Sequence, residues 1–272
     1  MMIEEAVINF KELIESSIIQ GGNKAKTAMI RSSKPILNIH EAVKYELVRR
    51  GINKNLIYPP LKKRSPELKF AGLLKQKDQD VCVVPNSIRK SPEILQDGLL
   101  TGLLDNYGQV FTERTLTINV RSQISSIQKN FDTLFERTYA EAQNLHERCP
   151  LMVLGEVYLL AVPEYDDTKF KDNKIGFKSI NQKVVEKYIK SFMAVTDRVD
   201  TTKNFYKYEA SSLLIVNFSY IQPRIYYTTQ ELIDDGLLPV DTQIEYDTLN
   251  WNNFFNKLLF IYDNRFGLGN LT

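Results

Sequence analysis

The chain has 272 residues, with 35 basic and 33 acidic side chains for a net charge of +2, enough for one large α/β domain or two small ones with a substantial core. An apolar fraction of 43% beside 25% charged residues excludes a disordered chain, and the near-balance of charge excludes a histone-like polycation. Local clusters still matter for partners, and the basic residues concentrate in the first third, from Lys24 to Lys77.

The acidic start, Met1-Met2-Ile3-Glu4-Glu5, lacks a signal-peptide core. Residues 3–19 carry apolar side chains at helical spacing (Ile3, Val7, Phe10, Ile14, Ile18), with Gly21-Gly22 as the expected stop. A second helix is predicted over 38–50, with Asn38 as N-cap, Glu41 completing a capping box and Gly51 as the stop. Residues 52–75 read as extended and basic. A short β-branched strand follows at 81–84, entered through Lys77-Asp78-Gln79-Asp80.

Residues 87–108 are expected to hold a helix on Ile94, Leu95, Leu99, Leu100, Leu103 and Leu104, before a strand at 115–121. A long amphipathic helix is predicted over 124–148, an apolar strand over 151–160 and a helix over 181–196. A buried-type strand at 212–218 and an aromatic-rich helix at 250–266, core or dimer surface, complete the pattern. The order predicts a single α/β domain over 1–272, a mixed central β-sheet flanked by helices, with a helical and basic segment at 1–60. No apolar run approaches the ~20 residues of a membrane span. Cys82 and Cys149, with His40 and His146, lack zinc-site spacing and fit a reduced setting, so a cytoplasmic location without membrane partners is expected.

Three features carry chemistry. Asp78 and Asp80 stand at the mouth of a strand, where a carboxylate can help hold a divalent cation against a phosphodiester, although the same residues also make an ordinary polar turn. Asn119, Arg121 and Gln123 share one face of the next strand, with Ile118 and Val120 on the other. A cation there can neutralise charge developing on phosphate, and the competing reading is a half-solvated strand. Glu136 and Glu141 lie on the following helix, and Glu156 lies inside an apolar strand, where a charge needs a partner such as Arg121.

In this order the pieces resemble the type II restriction endonucleases of the PD-(D/E)xK nuclease superfamily. The likeness spans residues 36–162: a helix with Glu41 and Glu46 ending in Arg49-Arg50-Gly51, Asp80 at a strand, Asn119-x-Arg121 on the next, a long helix, then an apolar strand. It implies a Mg²⁺-dependent, sequence-specific double-stranded DNA endonuclease of a restriction-modification system, working as a homodimer. Asp80 then matches the metal-binding Asp, with Asp78 beside it, while Asn119 and Arg121 fall where the family has (D/E) and Lys. The chain departs from the pattern there, since that strand has no Lys and Asn119 is not anionic. Members that move the second carboxylate onto the next helix imply Glu136 as catalytic residue and metal ligand, and members with Gln at the Lys position imply Gln123. DNA contacts are expected from Lys62, Lys63, Arg64, Lys77, Arg89, Lys90, Arg198, Lys203 and Asn204. The departures favour an alternative: a non-catalytic DNA- or protein-binding module.

Overall fold

Two helices open the chain, and both run further than their local signals suggest. The computed structural model describes residues 1–272. Helix α1 (Ile3–Arg31) continues through Gly21-Gly22, where the backbone kinks and Gly22 adopts φ +57°. A β-carbon at Gly22 would stand 2.3 Å from the Phe170 carbonyl oxygen, so the glycine lets the kinked helix close on the 169–172 turn. Helix α2 (Lys34–Arg49) begins four residues before the expected cap, because Pro35 suits a first helical turn, whose amides have no intrahelical partner. Asn38 is therefore internal, its amide donating to the Pro35 carbonyl at 3.2 Å. Glu41, expected in a capping box, instead binds Lys44 and the backbone amide of Lys62.

Ten strands follow: β1 (Ile57–Tyr58), β2 (Leu68–Ala71), β3 (Gln76–Gln79), β4 (Val81–Val83), β5 (Glu93–Ile94), β6 (Leu104–Asp105), β7 (Leu116–Gln123), β8 (Leu154–Ala161), β9 (Ala210–Asn217) and β10 (Arg224–Ile225). Six form a mixed sheet in the order β1-β4-β7-β8-β9-β10. Strands β7, β8 and β9 run parallel, and the outer pairings are antiparallel. Parallel strands need long crossovers. Helix α4 (Ile127–His146), which follows the five-residue α3 (Gln109–Glu113), supplies the one from β7 to β8, and α5 (Gln182–Ala194) supplies the one from β8 to β9. The chain ends in α6 (Thr229–Asp234), with a true capping box from Thr228 and Glu231, and α7 (Trp251–Phe266).

Both sheet faces are covered. On one, Tyr158, Leu160, Leu213 and Ile215 pack against Phe131 of α4 and against Val185, Tyr188, Ile189 and Phe192 of α5. On the other, Ile118, Val120, Val157, Leu159 and Leu214 meet α1, α2 and the aromatic face of α7, which is core. Gly155 of β8 belongs to that contact, since a β-carbon there would stand 2.8 Å from the Phe254 ring.

The helix expected over 87–108 is absent. Residues there form the β5–β6 hairpin, held by Arg148, which bridges Glu93 at 2.5 Å and Asp105 at 2.7 Å. Gly98, Gly102 and Gly108 all take positive φ, and such turns break the leucine pattern before it completes a helix. Leu95 is buried, while Ile94, Leu99, Leu103 and Leu104 are exposed. No helix is long and apolar enough to cross a membrane.

Gly22→Ala is expected to destabilise the fold by about 1–3 kcal/mol, because alanine must adopt a glycine-only conformation against Phe170. Thermal unfolding followed by circular dichroism reads this as a lower Tm with an unchanged native spectrum.

Candidate active site

Opposed residues on neighbouring strands share a face, so the sheet register arranges polar side chains into a transverse row. Asn119 of β7 pairs with Glu156 of β8, which pairs with Ser211 of β9. Val81 pairs with Ile118, so the antiparallel register carries Asp80, one residue earlier, alongside Asn119. The Val120 amide donates to Asp80 Oδ2 at 2.8 Å, which fixes the Asp80 carboxylate on the edge of β7.

Cations enter the same face from two directions. Arg121, two residues beyond Asn119, places Nε 3.4 Å from Glu156 Oε1 and donates from Nη1 to Thr138 Oγ1 of α4 at 2.8 Å. Its guanidinium also pairs with Glu141 of α4. Lys77 arrives from β3, with Nζ 2.5 Å from the other oxygen of Glu141. The row is thereby edged by Lys77, Arg121 and Glu141, and floored by Tyr208, whose hydroxyl donates to the Thr138 carbonyl at 2.9 Å.

Burial sets the electrostatics. Glu156 is fully buried, and burial pushes its carboxyl above the ordinary range against the opposing pull of Arg121 and Lys77. Burial works against the charge of Arg121, yet Glu156, Tyr208 and Asp80 keep its pKa raised. Burial, then the nearby Arg121, lowers the pKa of Lys77, with Asp80 and Glu156 opposing. His40 of α2 is lowered by its own burial, and Asp80 is the strongest opposing influence.

The row is short of hydrogen bonds. Neither carboxylate oxygen of Glu156 makes a hydrogen bond of normal geometry, nor does the Asn119 amide at either end, although the Tyr208 hydroxyl lies beside both; the Ser211 hydroxyl is likewise without a partner. Buried polar atoms without partners are uncommon and ask for a missing ligand, ion or water. Asp80, Glu156 and the Asn119 amide oxygen offer only oxygen donors, the type that Mg²⁺ takes. No three His, Cys, Asp or Glu side chains form a ready cage, so a cation here would depend on the neutral oxygen of Asn119.

The other residues singled out in the sequence fall in various places. Glu136 is exposed on α4 and does not reach the row; Glu141 does, because it lies one helical turn from the inward-facing Thr138, whereas Glu136 points outward. Asp78 is exposed on β3 opposite Lys69. The Gln123 amide turns to the Ser125 carbonyl at the end of β7. Lys77 belongs to the site itself. Arg198, expected at a DNA contact, is a fully buried side chain that donates to Glu209 at 2.9 Å and to the carbonyls of Pro150 and Thr201. Lys62, Lys63, Arg64, Arg89, Lys90, Lys203 and Asn204 are exposed, with Lys90 over the Tyr107 ring and Lys203 3.6 Å from Asp200. The apolar run around Glu156 marked that residue in advance; Lys77 was expected at a DNA contact, and its pairing with Glu141 was not legible because it reaches the row from a different strand.

No protein-family model, curated protein or solved structure matches this chain.

The Arg198 network behaves differently from the row. Glu209 accepts from Arg198, from Arg265 at 2.8 Å and from the Leu154 amide at 2.9 Å, with His146 beside it at 3.3 Å. Burial alone would raise its carboxyl; His146, Arg265 and the Leu154 amide overcome that and lower it from 4.5 to about 2. A depressed carboxyl stabilises the fold fully above its unfolded value, so this contribution is lost as pH falls from 4.5 towards 2. Glu209→Gln is expected to cost ~3–5 kcal/mol at neutral pH, by stranding the buried Arg198 and the half-buried Arg265, and to flatten the acid limb of stability. Urea unfolding at a series of pH values measures both.

Proposed function

We propose that this chain is a Mg²⁺-dependent, sequence-specific double-stranded DNA endonuclease with a restriction-endonuclease-like core, acting as a homodimer. One observation carries the reading: a carboxylate at a strand mouth, Asp80, in register with a buried row whose oxygens make no hydrogen bond of normal geometry, beside two cations. The order α2, β4, β7, α4, β8 also follows the resemblance drawn from the sequence. The homodimer rests on symmetry, since cutting two antiparallel strands at a palindrome suits a two-fold protein.

Asp80, Glu156 and the Asn119 amide oxygen would hold the metal. When bound, Mg²⁺ supplies an activated water and charge stabilisation at the leaving oxygen. The chain's own part is positioning and charge. Arg121 and Lys77 place positive charge where a phosphate would lie, and fixed cations in a site shielded from water act strongly on developing negative charge. Lys77, whose pKa is lowered, can hold or pass a proton at Nζ more readily than an ordinary lysine. Glu141 ties Lys77 to Arg121 and fixes their separation. Glu156 and Lys77 thereby take the places that the resemblance gave to residues 119 and 121, and Glu136 and Gln123 take no part.

A second reading, a DNA- or protein-binding module without catalysis, is favoured by the ion pairs themselves: Arg121 and Lys77 already neutralise Glu141 and Glu156 without any metal. Incubation with unmethylated phage DNA, with and without Mg²⁺, separates the two on a gel. Discrete Mg²⁺-dependent bands are expected from the wild type. Asp80→Ala and Glu156→Gln should abolish them in folded protein, Lys77→Ala should slow cutting by about 10²-fold or more, and Glu136→Ala should cut normally. A retarded band with no cutting would establish the binding module instead.

The pH dependence has a definite sign. Glu156 must be ionised to hold a cation, and burial raises its pKa, so cleavage should fail on acidification at a higher pH than for an ordinary glutamate. Arg121 opposes that rise; Arg121→Ala should therefore move the acid limb of the residual rate to still higher pH.

A further inference from the structure

We propose that the turn Pro60–Arg64 is a preset clamp for the phosphate backbone of duplex DNA, held rigid by a Glu41–Lys44 pair at the end of the sheet where Asp80 lies; the proposal rests on the endonuclease reading above. Its position follows from register. Ile57 pairs with Val83 and Tyr58 with Cys82, so the antiparallel β1 leaves the sheet at the end where Asp80 lies, and the turn follows it there. The chain then passes through Glu67 into β2, and Glu67 senses the charges of Asp80 and Lys77.

The turn's backbone is held by charged side chains. Lys44 of α2 is buried, and its ammonium donates to the Lys63 carbonyl at 2.9 Å and the Pro60 carbonyl at 3.3 Å, while pairing with Glu41 at 2.5 Å. The other oxygen of Glu41 accepts the Lys62 amide at 2.7 Å. Lys62 is held at φ +60°, a conformation that a lysine adopts only where its surroundings impose it. Burying an ammonium is costly unless its bonds are satisfied, and here two of its three go to this turn.

The turn presents Lys62, Lys63 and Arg64, three consecutive exposed cations, none of them ion-paired within the chain. Within the row itself the cations are spent on partners, Lys77 on Glu141 and Arg121 on Glu141 and Glu156. Three like charges repel one another, so an unbraced turn would splay. The brace fixes them beside the row, and phosphate contacts of this kind set register on a duplex without reading its sequence.

The test is binding of a fluorescein-labelled duplex oligonucleotide by anisotropy, in EDTA, across a range of salt, with cleavage assayed separately in Mg²⁺. Each phosphate contact contributes about 0.9 to the slope of log affinity against log salt, so the triple variant Lys62→Ala/Lys63→Ala/Arg64→Ala should lower the slope by about 2.7. Glu41→Gln, which keeps all three cations but weakens the brace, should also weaken binding and lower the slope. Lys44→Met is the harsher version, to be read only if its circular dichroism is native. A triple variant with the wild-type slope overturns the clamp, even where the wild type cuts DNA and the endonuclease reading stands. A lowered slope in the triple variant with wild-type binding by Glu41→Gln overturns the preset brace. A wild type that neither binds nor cuts overturns both proposals.

Discussion

The burial of Glu156 in the middle strand of the parallel sheet is the constraint around which the rest is arranged. Taking a carboxylate out of water costs several kcal/mol before any attraction is counted, and an ion pair recovers that only with good geometry. Arg121 answers it from the adjacent strand, at a position that exists only because β7 and β8 pair in parallel in this register. Arg121 in turn draws in Thr138 and Glu141 of α4, and Glu141 draws in Lys77 of β3. One buried charge therefore ties a sheet strand, a crossover helix and an outlying hairpin together. Well-packed apolar residues at such a place are often neutral or stabilising, so stability alone does not call for a charge there.

The comparison with Glu209 sharpens that point. Both glutamates are fully buried and both meet arginine. Glu209 is saturated by two guanidinium groups and a backbone amide, and its pKa falls; the oxygens of Glu156 lack hydrogen bonds of normal geometry, and its pKa rises. Satisfied buried charge joins parts of a fold, here the start of β8, α7 and the segment at Arg198. Unsatisfied buried charge leaves capacity for a ligand, which is the difference between a brace and a site.

Charge at the rim is handled by the same logic. Lys44 is buried and two of its bonds go to backbone with the third to Glu41, so it shapes a turn, while Lys62, Lys63 and Arg64 remain free to meet an external anion. The brace belongs to α2 and the turn follows β1, so both are anchored to the sheet that holds the row.

The sequence by itself determined the elements that rest on local periodicity and packing. The strands at β4, β7, β8 and β9 and the helices α4, α5 and α7 were legible because apolar spacing reports directly which face is buried. The oddity of Glu156 was legible for the same reason, as a polar residue set into an apolar strand, and Asp80 stood out at the mouth of β4. Punctuation was less readable: Gly21-Gly22 kinks a helix it was expected to stop, Pro35 starts α2 before Asn38, and the leucines of 87–108 lie on a hairpin. Only the tertiary structure decided which charges meet. Glu141 rather than Glu136 reaches the row because helix rotation against the sheet is fixed by packing, and Arg198 is withdrawn from the surface by Glu209. Lys77 joins Arg121 and Glu156 from another strand, since side chains converge through register and crossover, neither of which is written in local spacing.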